Sequence, residues 1–304
     1  MQLSHLLLLA GALVATAHPS GHAHLHRSAH DKRSLTFIKN VHKPIPQPEA
    51  APEPKPAPKP APKPAPKPTP PVEAEKPKDD DEPDFIPFCS GWTPSRKVKR
   101  VTKEQVMYTG NLGTNNGCPW NSNMILVPNK IAHKYQYVQT YTNVDSVEYE
   151  VICGNKMGAD RELTGMFESN NQLKFKLAPG ETKSIASEAD TQGVCAFAPK
   201  AVPTTKFGQY AGNWLEFDFA NASNKQWSGA DCSSLVAQHY DMDVPGCAVF
   251  GPPGSASDFG DASIIFPGGQ GINAYTRGME ELDGIGLNVM PGKAVLHVKV
   301  GYSG

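Results

Sequence analysis

Residues 214–219 read Trp-Leu-Glu-Phe-Asp-Phe. Leu215, Phe217 and Phe219 alternate with Trp214, Glu216 and Asp218. Side chains of an extended chain point to opposite faces in turn, so this run predicts a strand with one buried and one wet face. The same period of two recurs along the second half of the chain. In Ser146–Cys153, Val147, Tyr149, Val151 and Cys153 alternate with Glu148 and Glu150. In Gln172–Leu177, Leu173, Phe175 and Leu177 alternate with Lys174 and Lys176. In Lys293–Gly301, Ala294, Leu296, Val298 and Val300 alternate with His297 and Lys299. Pro179-Gly180 and Pro291-Gly292 are turn signals. Short amphipathic strands joined by such turns predict a mainly β protein, an antiparallel β-sandwich. Only Ser234–Tyr240 and Ala274–Leu282 suggest short helices.

The six cysteines are Cys89, Cys118, Cys153, Cys195, Cys232 and Cys247. An even number in an exported chain implies up to three disulfides, with 15 possible pairings. Each would contribute about 2–4 kcal/mol. Cys232 and Cys247 are expected to pair across a local loop. No Cys-x-x-Cys or Cys/His spacing indicates a metal site.

The first hundred residues differ in kind. Of 29 prolines, seventeen fall between Pro44 and Pro87, where no core can form. The formal net charge is −1, but it divides unevenly. Residues 18–100 hold 15 basic and 10 acidic side chains, a net of +5, and residues 101–304 hold 14 and 20, a net of −6. An acidic body argues against nucleic acid as a partner. No apolar run is long enough to cross a membrane. The organisation expected is a signal peptide over 1–17 cut after Ala17, then a His-rich pro-segment over 18–33 released at Lys32-Arg33. A disordered Pro/Lys-rich linker follows over 34–100, and the β-sandwich body over 101–304. Lys99-Arg100 is a second dibasic pair. His18, His22, His24, His26 and His30 could hold copper only on a rigid scaffold, which this stretch does not supply. Residues 55–70 repeat Lys-Pro-Ala-Pro, which favours polyproline II and spreads its lysines around a rod.

Candidate chemistry centres on the wet face of 214–219. Glu216 and Asp218 stand roughly 6–7 Å apart along a strand, and Trp214 shares their face. Two acceptors beside an indole suit a pyranose: the ring covers its apolar face while carboxylates take its hydroxyls. The plainer reading is a solvated strand face with Trp214 packed under a loop. Trp120 and Trp227 are further aromatic candidates. Asn221-Ala222-Ser223 is a glycosylation sequon, expected on a surface loop. His239 near Asp241 and Asp243 is more economically a turn than a metal site, and Gly268-Gly269-Gln270-Gly271 lacks the partners of a phosphate loop. No Gly-x-Ser-x-Gly elbow is present. No metal and no organic cofactor is expected.

Five blocks carry a resemblance: residues 110–127 (GNLGTNNGCPWNSNMILV), 177–193, 209–219, 226–244 (QWSGADCSSLVAQHYDMDV) and 281–300 (ELDGIGLNVMPGKAVLHVKV). Together they resemble the fungal group-4 Aspergillus allergen family. That resemblance implies secretion, a variable His- or Pro-rich front and a C-terminal body of the same architecture. Asn116-Gly117-Cys118-Pro119, Leu177-Ala-Pro-Gly180, Leu215-Glu216-Phe217 and Asp231-Cys-Ser233 are similar, more faintly, to landmarks of thaumatin-like proteins. Those are β-sandwiches whose acidic cleft binds or weakly cleaves β-1,3-glucan. The similarity would place Glu216 and Asp231 in that cleft. Ala237 stands where the pattern has a further aspartate, which puts hydrolysis in doubt. The expected function is that of a secreted, non-enzymatic allergen-like protein binding cell-wall polysaccharide or a host surface component. The alternatives are a β-1,3-glucan hydrolase using Glu216 with Asp218 or Asp231, and a structural wall constituent.

Overall fold

A computed structural model describes residues 85–90, 109–253, 255 and 262–304. Ala17, Arg33, the histidine-rich segment, the Lys-Pro repeat and Lys99-Arg100 lie outside the described residues. In chain order the strands are β1 (Met124–Val127), β2 (Tyr137–Asn143), β3 (Tyr149–Asn155), β4 (Leu173–Leu177), β5 (Thr182–Ser187), β6 (Thr191–Pro199) and β7 (Asn213–Phe219). They continue as β8 (Ser228–Ser233), β9 (Cys247–Phe250), β10 (Ala262–Ile265), β11 (Gly271–Ile272), β12 (Leu287–Val289) and β13 (Ala294–Val300). Two short helices, α1 (Asn129–Ala132) and α2 (Leu235–His239), are set between them.

The strands form two sheets. The first has seven strands in the order β1-β5-β2-β13-β9-β10-β11, and the second has six in the order β12-β8-β7-β6-β3-β4. Every pairing is antiparallel except β13 beside β2. The alternation in 214–219 is realised on its apolar side, while the side expected to be wet is also covered, with Trp214 6% and Glu216 4% exposed. Leu215, Phe217 and Phe219 enter the core between the sheets with Tyr149, Val151, Leu177, Phe197, Leu296 and Val298. Ring pairs such as Tyr137–Phe219, 5.5 Å between centroids, tie one sheet to the other. Pro179-Gly180 makes the β4–β5 turn, where Gly180 takes φ +75° and Glu181 N–H donates to Ala178 O at 2.9 Å.

The disulfides are Cys89–Cys118, Cys153–Cys195 and Cys232–Cys247. Cys153 and Cys195 face each other on β3 and β6. Cys232 on β8 and Cys247 on β9 join the two sheets, as their local spacing suggests. Cys89 secures the segment 85–90, whose Phe85 stacks on Tyr135 at 4.8 Å. The Tyr135 hydroxyl accepts from Ile86 N–H at 2.9 Å and donates to Ile86 O at 2.8 Å.

One helix expectation is corrected. Ser234–Tyr240 does become α2, but Ala274–Leu282 is a run of turns. Tyr275 is drawn into the sheet edge, bridging Ser233 and donating its N–H to Cys232 O at 2.9 Å. Gly278 then takes φ +87°, which a helix cannot contain.

Candidate functional site: an acidic cleft on an outer sheet face

The outer face of the six-stranded sheet divides in two. Over one half, the 156–171 and 200–212 segments close on a second apolar cluster of Ile152, Val194, Ala196, Met166, Tyr210 and Trp214. Trp214 therefore serves that cluster. It is 6% exposed, and its indole N–H donates to Tyr210 O at 3.2 Å. The expected sugar platform is corrected accordingly, because no face of the indole is left for a ligand.

The other half stays open as a cleft of about 630 Å³, counting its mouth. Strand pairing assembles it. Glu216 on β7 lies opposite Asp231 on β8, and Asp218 lies opposite Gly229, whose missing side chain leaves room. Lys156, just past β3, falls on the same face, and Trp227 forms part of the rim. Directly opposed antiparallel residues have Cβ atoms about 4.5–5.5 Å apart. Glu216 and Asp231 are thus brought together, although fifteen positions apart in sequence.

Burial dominates their electrostatics. Desolvation raises Asp231 well above the usual carboxylate range, and the Glu216 charge raises it further. Desolvation likewise raises Glu216, opposed by a hydrogen bond from Ser233 and by Lys156. Asp218 is pushed up to about 7 by burial, against the pull of Asn221 and Lys156. Burial lowers Lys156 to about 8, with Glu216 and Asp218 resisting. Two carboxylates facing each other in a shielded site resist ionising together. Glu216 Oε1, Asp218 Oδ1 and Asp231 Oδ1 are buried acceptors that meet no protein donor. A buried acceptor without a donor costs about 1–3 kcal/mol, so the cleft favours hydroxyl or amide donors brought to it.

Asn221 is also placed differently from a surface sequon. It is 2% exposed. Its amide nitrogen donates to Asp218 Oδ2. Its side-chain oxygen accepts from Ser223 N and Asn224 N at 2.8 and 3.1 Å, and its backbone N–H donates to Trp227 O. Asn221 therefore organises the loop that presents Trp227, and its amide is not offered to solvent. Trp120 donates its indole N–H to Met157 O at 2.9 Å, a packing role. Asp241 takes the Arg277 guanidinium, and Gly268 and Gly269, at φ +88° and +93°, turn β10 into β11. Among the described residues no group of three His, Cys, Asp or Glu side chains is arranged to hold a metal ion.

Sequence reading singled out Glu216, Asp218 and Asp231 but not Lys156 or the structural use of Asn221. The signal for Lys156 was the parity of β3: Glu150, Ile152, Gly154 and Lys156 share one face.

Fold and cleft define a class: a disulfide-braced two-sheet β-sandwich bearing a buried carboxylate cluster on an outer face. The family described as "Allergen Asp f 4-like domain" matches residues 122–300, and the chain belongs to that family. It is 36% identical to Allergen Asp f 4 of Aspergillus fumigatus over 199 residues, which is 65% of this chain and 59% of that protein. Among solved structures, a thaumatin-like xylanase inhibitor overlaps 53% of this chain and 97% of its own, at 10% identity and a TM-score of 0.33. The protein elicitor MoHrip2 from Magnaporthe oryzae overlaps 55% and 99%, at 10% identity and a TM-score of 0.32. Neither overlap is close enough to carry a function across.

Proposed function

We propose that this allergen-family protein is exported and acts, without catalysis, by binding a neutral polysaccharide at the cell wall or a host surface. The single observation behind this reading is that Glu216, Asp218 and Asp231, each with a buried carboxylate oxygen that meets no donor, line one cleft together with Trp227. Sugar hydroxyls are the donors such a site needs, and a half-exposed indole can cover the apolar face of a ring. Export is supported by three disulfides, which persist in oxidising compartments. Calorimetric titration with laminarin tests the reading. Binding is expected to fall about tenfold for each of Glu216→Gln, Asp231→Asn and Trp227→Ala, a loss of the size that one charge-assisted contact supplies. Absence of any neutral-glycan binding would leave the structural-constituent alternative.

A second reading, β-1,3-glucan hydrolysis, is favoured by the opposition of Glu216 and Asp231. Directly opposed strand positions put the two side chains within reach of one scissile bond, as a pair of catalytic carboxylates requires. Burial raises both carboxyls above their usual range, the direction a general acid needs. Release of reducing ends from laminarin, abolished by Glu216→Gln, would establish hydrolysis over simple binding.

A further inference from the structure

The opposite side of the sandwich carries a different chemistry. On the outer face of the seven-stranded sheet, α1 and β13 flank a groove of about 590 Å³ including its mouth. Its floor is Val138, Thr140, Ser184 and Val295, and its rims are His133 and Lys293. No carboxylate is among the described residues that line it. Strand register continues the surface beyond the groove. Thr140, His297 and Phe250 stand in one row across β2, β13 and β9, and Thr142 and Lys299 stand in the next. His297 is exposed, while Thr140, Thr142 and Lys299 are half-exposed. Lys299 Nζ lies 5.2 Å from the Phe250 ring centre and 5.6 Å from that of Tyr302. Hydroxyls pair along the same face, with Thr142 and Thr182 Oγ1 atoms 2.9 Å apart. Lys293 donates to His133 O at 2.7 Å, which holds its ammonium at the groove mouth with protons to spare.

From these groups we infer that this face is a second binding surface, for an extended anionic polysaccharide built from uronic acids. It lies on the opposite sheet from the acidic cleft and does not depend on that cleft's ligand. Among these described residues the charge is of one sign and sparse. From Lys293 to Lys299 the strand runs about 20 Å at a rise of about 3.3 Å per residue, which spaces cations for intermittent carboxylates, unlike the dense charge of a phosphate backbone. Threonine hydroxyls between the cations match ring hydroxyls, and the part-exposed Phe250 and Tyr302 add apolar patches beside Lys299. An acidic peptide would be expected at an unpaired strand edge, since backbone pairing is its main source of affinity. This surface offers side chains from the interior of a sheet.

The test uses the full chain and polygalacturonate, followed by affinity electrophoresis and calorimetry at near-physiological salt. The Lys293→Gln/Lys299→Gln double variant is expected to weaken binding at least tenfold, and Thr142→Val about threefold to fivefold. Replacing the arm lysines at 55, 59, 63 and 67 by serine should leave this loss in place. Circular dichroism and melting confirm that each variant is folded, and laminarin binding serves as the independent check on the other face. Three results would overturn the inference: no polygalacturonate binding, binding that disappears with the arm lysines alone, or an equal effect of every face variant on dextran sulfate binding, which would mean diffuse charge attraction.

Discussion

At the scale of single residues, the cleft is a set of carboxylates kept from water. Burial raises Glu216 and Asp231, and holds Asp218 near 7. Between about pH 4 and pH 7 the folded protein therefore binds more protons than the unfolded chain, so stability falls as pH rises through that window. Melting temperature should be higher near pH 5 than near pH 7.5. Asp231→Asn should flatten that dependence and add about 1–2 kcal/mol at the higher pH, because the opposed charge is removed. A melting curve that rises toward neutrality would contradict this account. Asn221 makes the complementary case. Asn221→Ala deletes the amide that steadies Asp218 and the cap of the 222–224 turn, at a cost of about 1–3 kcal/mol in chemical denaturation. A glycan on its amide nitrogen would displace the same contact, so the correctly folded protein should show an unmodified Asn221 peptide by mass spectrometry.

At the scale of elements, period-two patterning was enough to locate the strands whose two faces differ in polarity, β3, β4, β7 and β13. It located the carboxylates of β7 for the same reason. Strands with little polarity contrast between their two faces gave no such signal. All but the last residue of β6 is buried, since its faces meet the core and the outer cluster respectively. The failure over 274–282 has a different cause: pairing of Tyr275 with the β8 edge overrides local helix preference, and no local pattern announces a long-range bridge. Trp214 was assigned to the correct face, but only the loops folded over that face show that it is covered. Truncating it should therefore cost stability: Trp214→Ala is expected to lose about 3–5 kcal/mol, as for other buried aromatics, whatever it does to ligand binding. Gly286 is equally constrained. It takes φ +104° and a Cβ there would meet the Asp231 Cβ at 2.7 Å. Gly286→Ala should shift Asp231 and lower the midpoint of urea unfolding by an amount equivalent to about 1–3 kcal/mol.

At the scale of the molecule, two sheets back a common core and carry chemically distinct outer faces, one with clustered buried carboxylates and one with dispersed cations. The segment before the sandwich is fastened to it twice, by Cys89–Cys118 and by the Tyr135 clasp on Ile86. Tyr135→Phe keeps the ring stacking and removes both clasp bonds, so amide exchange at Ile86 should quicken about fivefold to tenfold, with the core strands unchanged. The covalent half of this attachment separates cutting from release. Lys99-Arg100 falls inside the interval that Cys89–Cys118 closes. A peptidase acting there would nick the polypeptide yet leave a two-chain product of undiminished mass, resolved into pieces only after a reductant is added. The Pro/Lys-rich stretch ahead of that cut would stay leashed to the sandwich until the local redox balance lets it go.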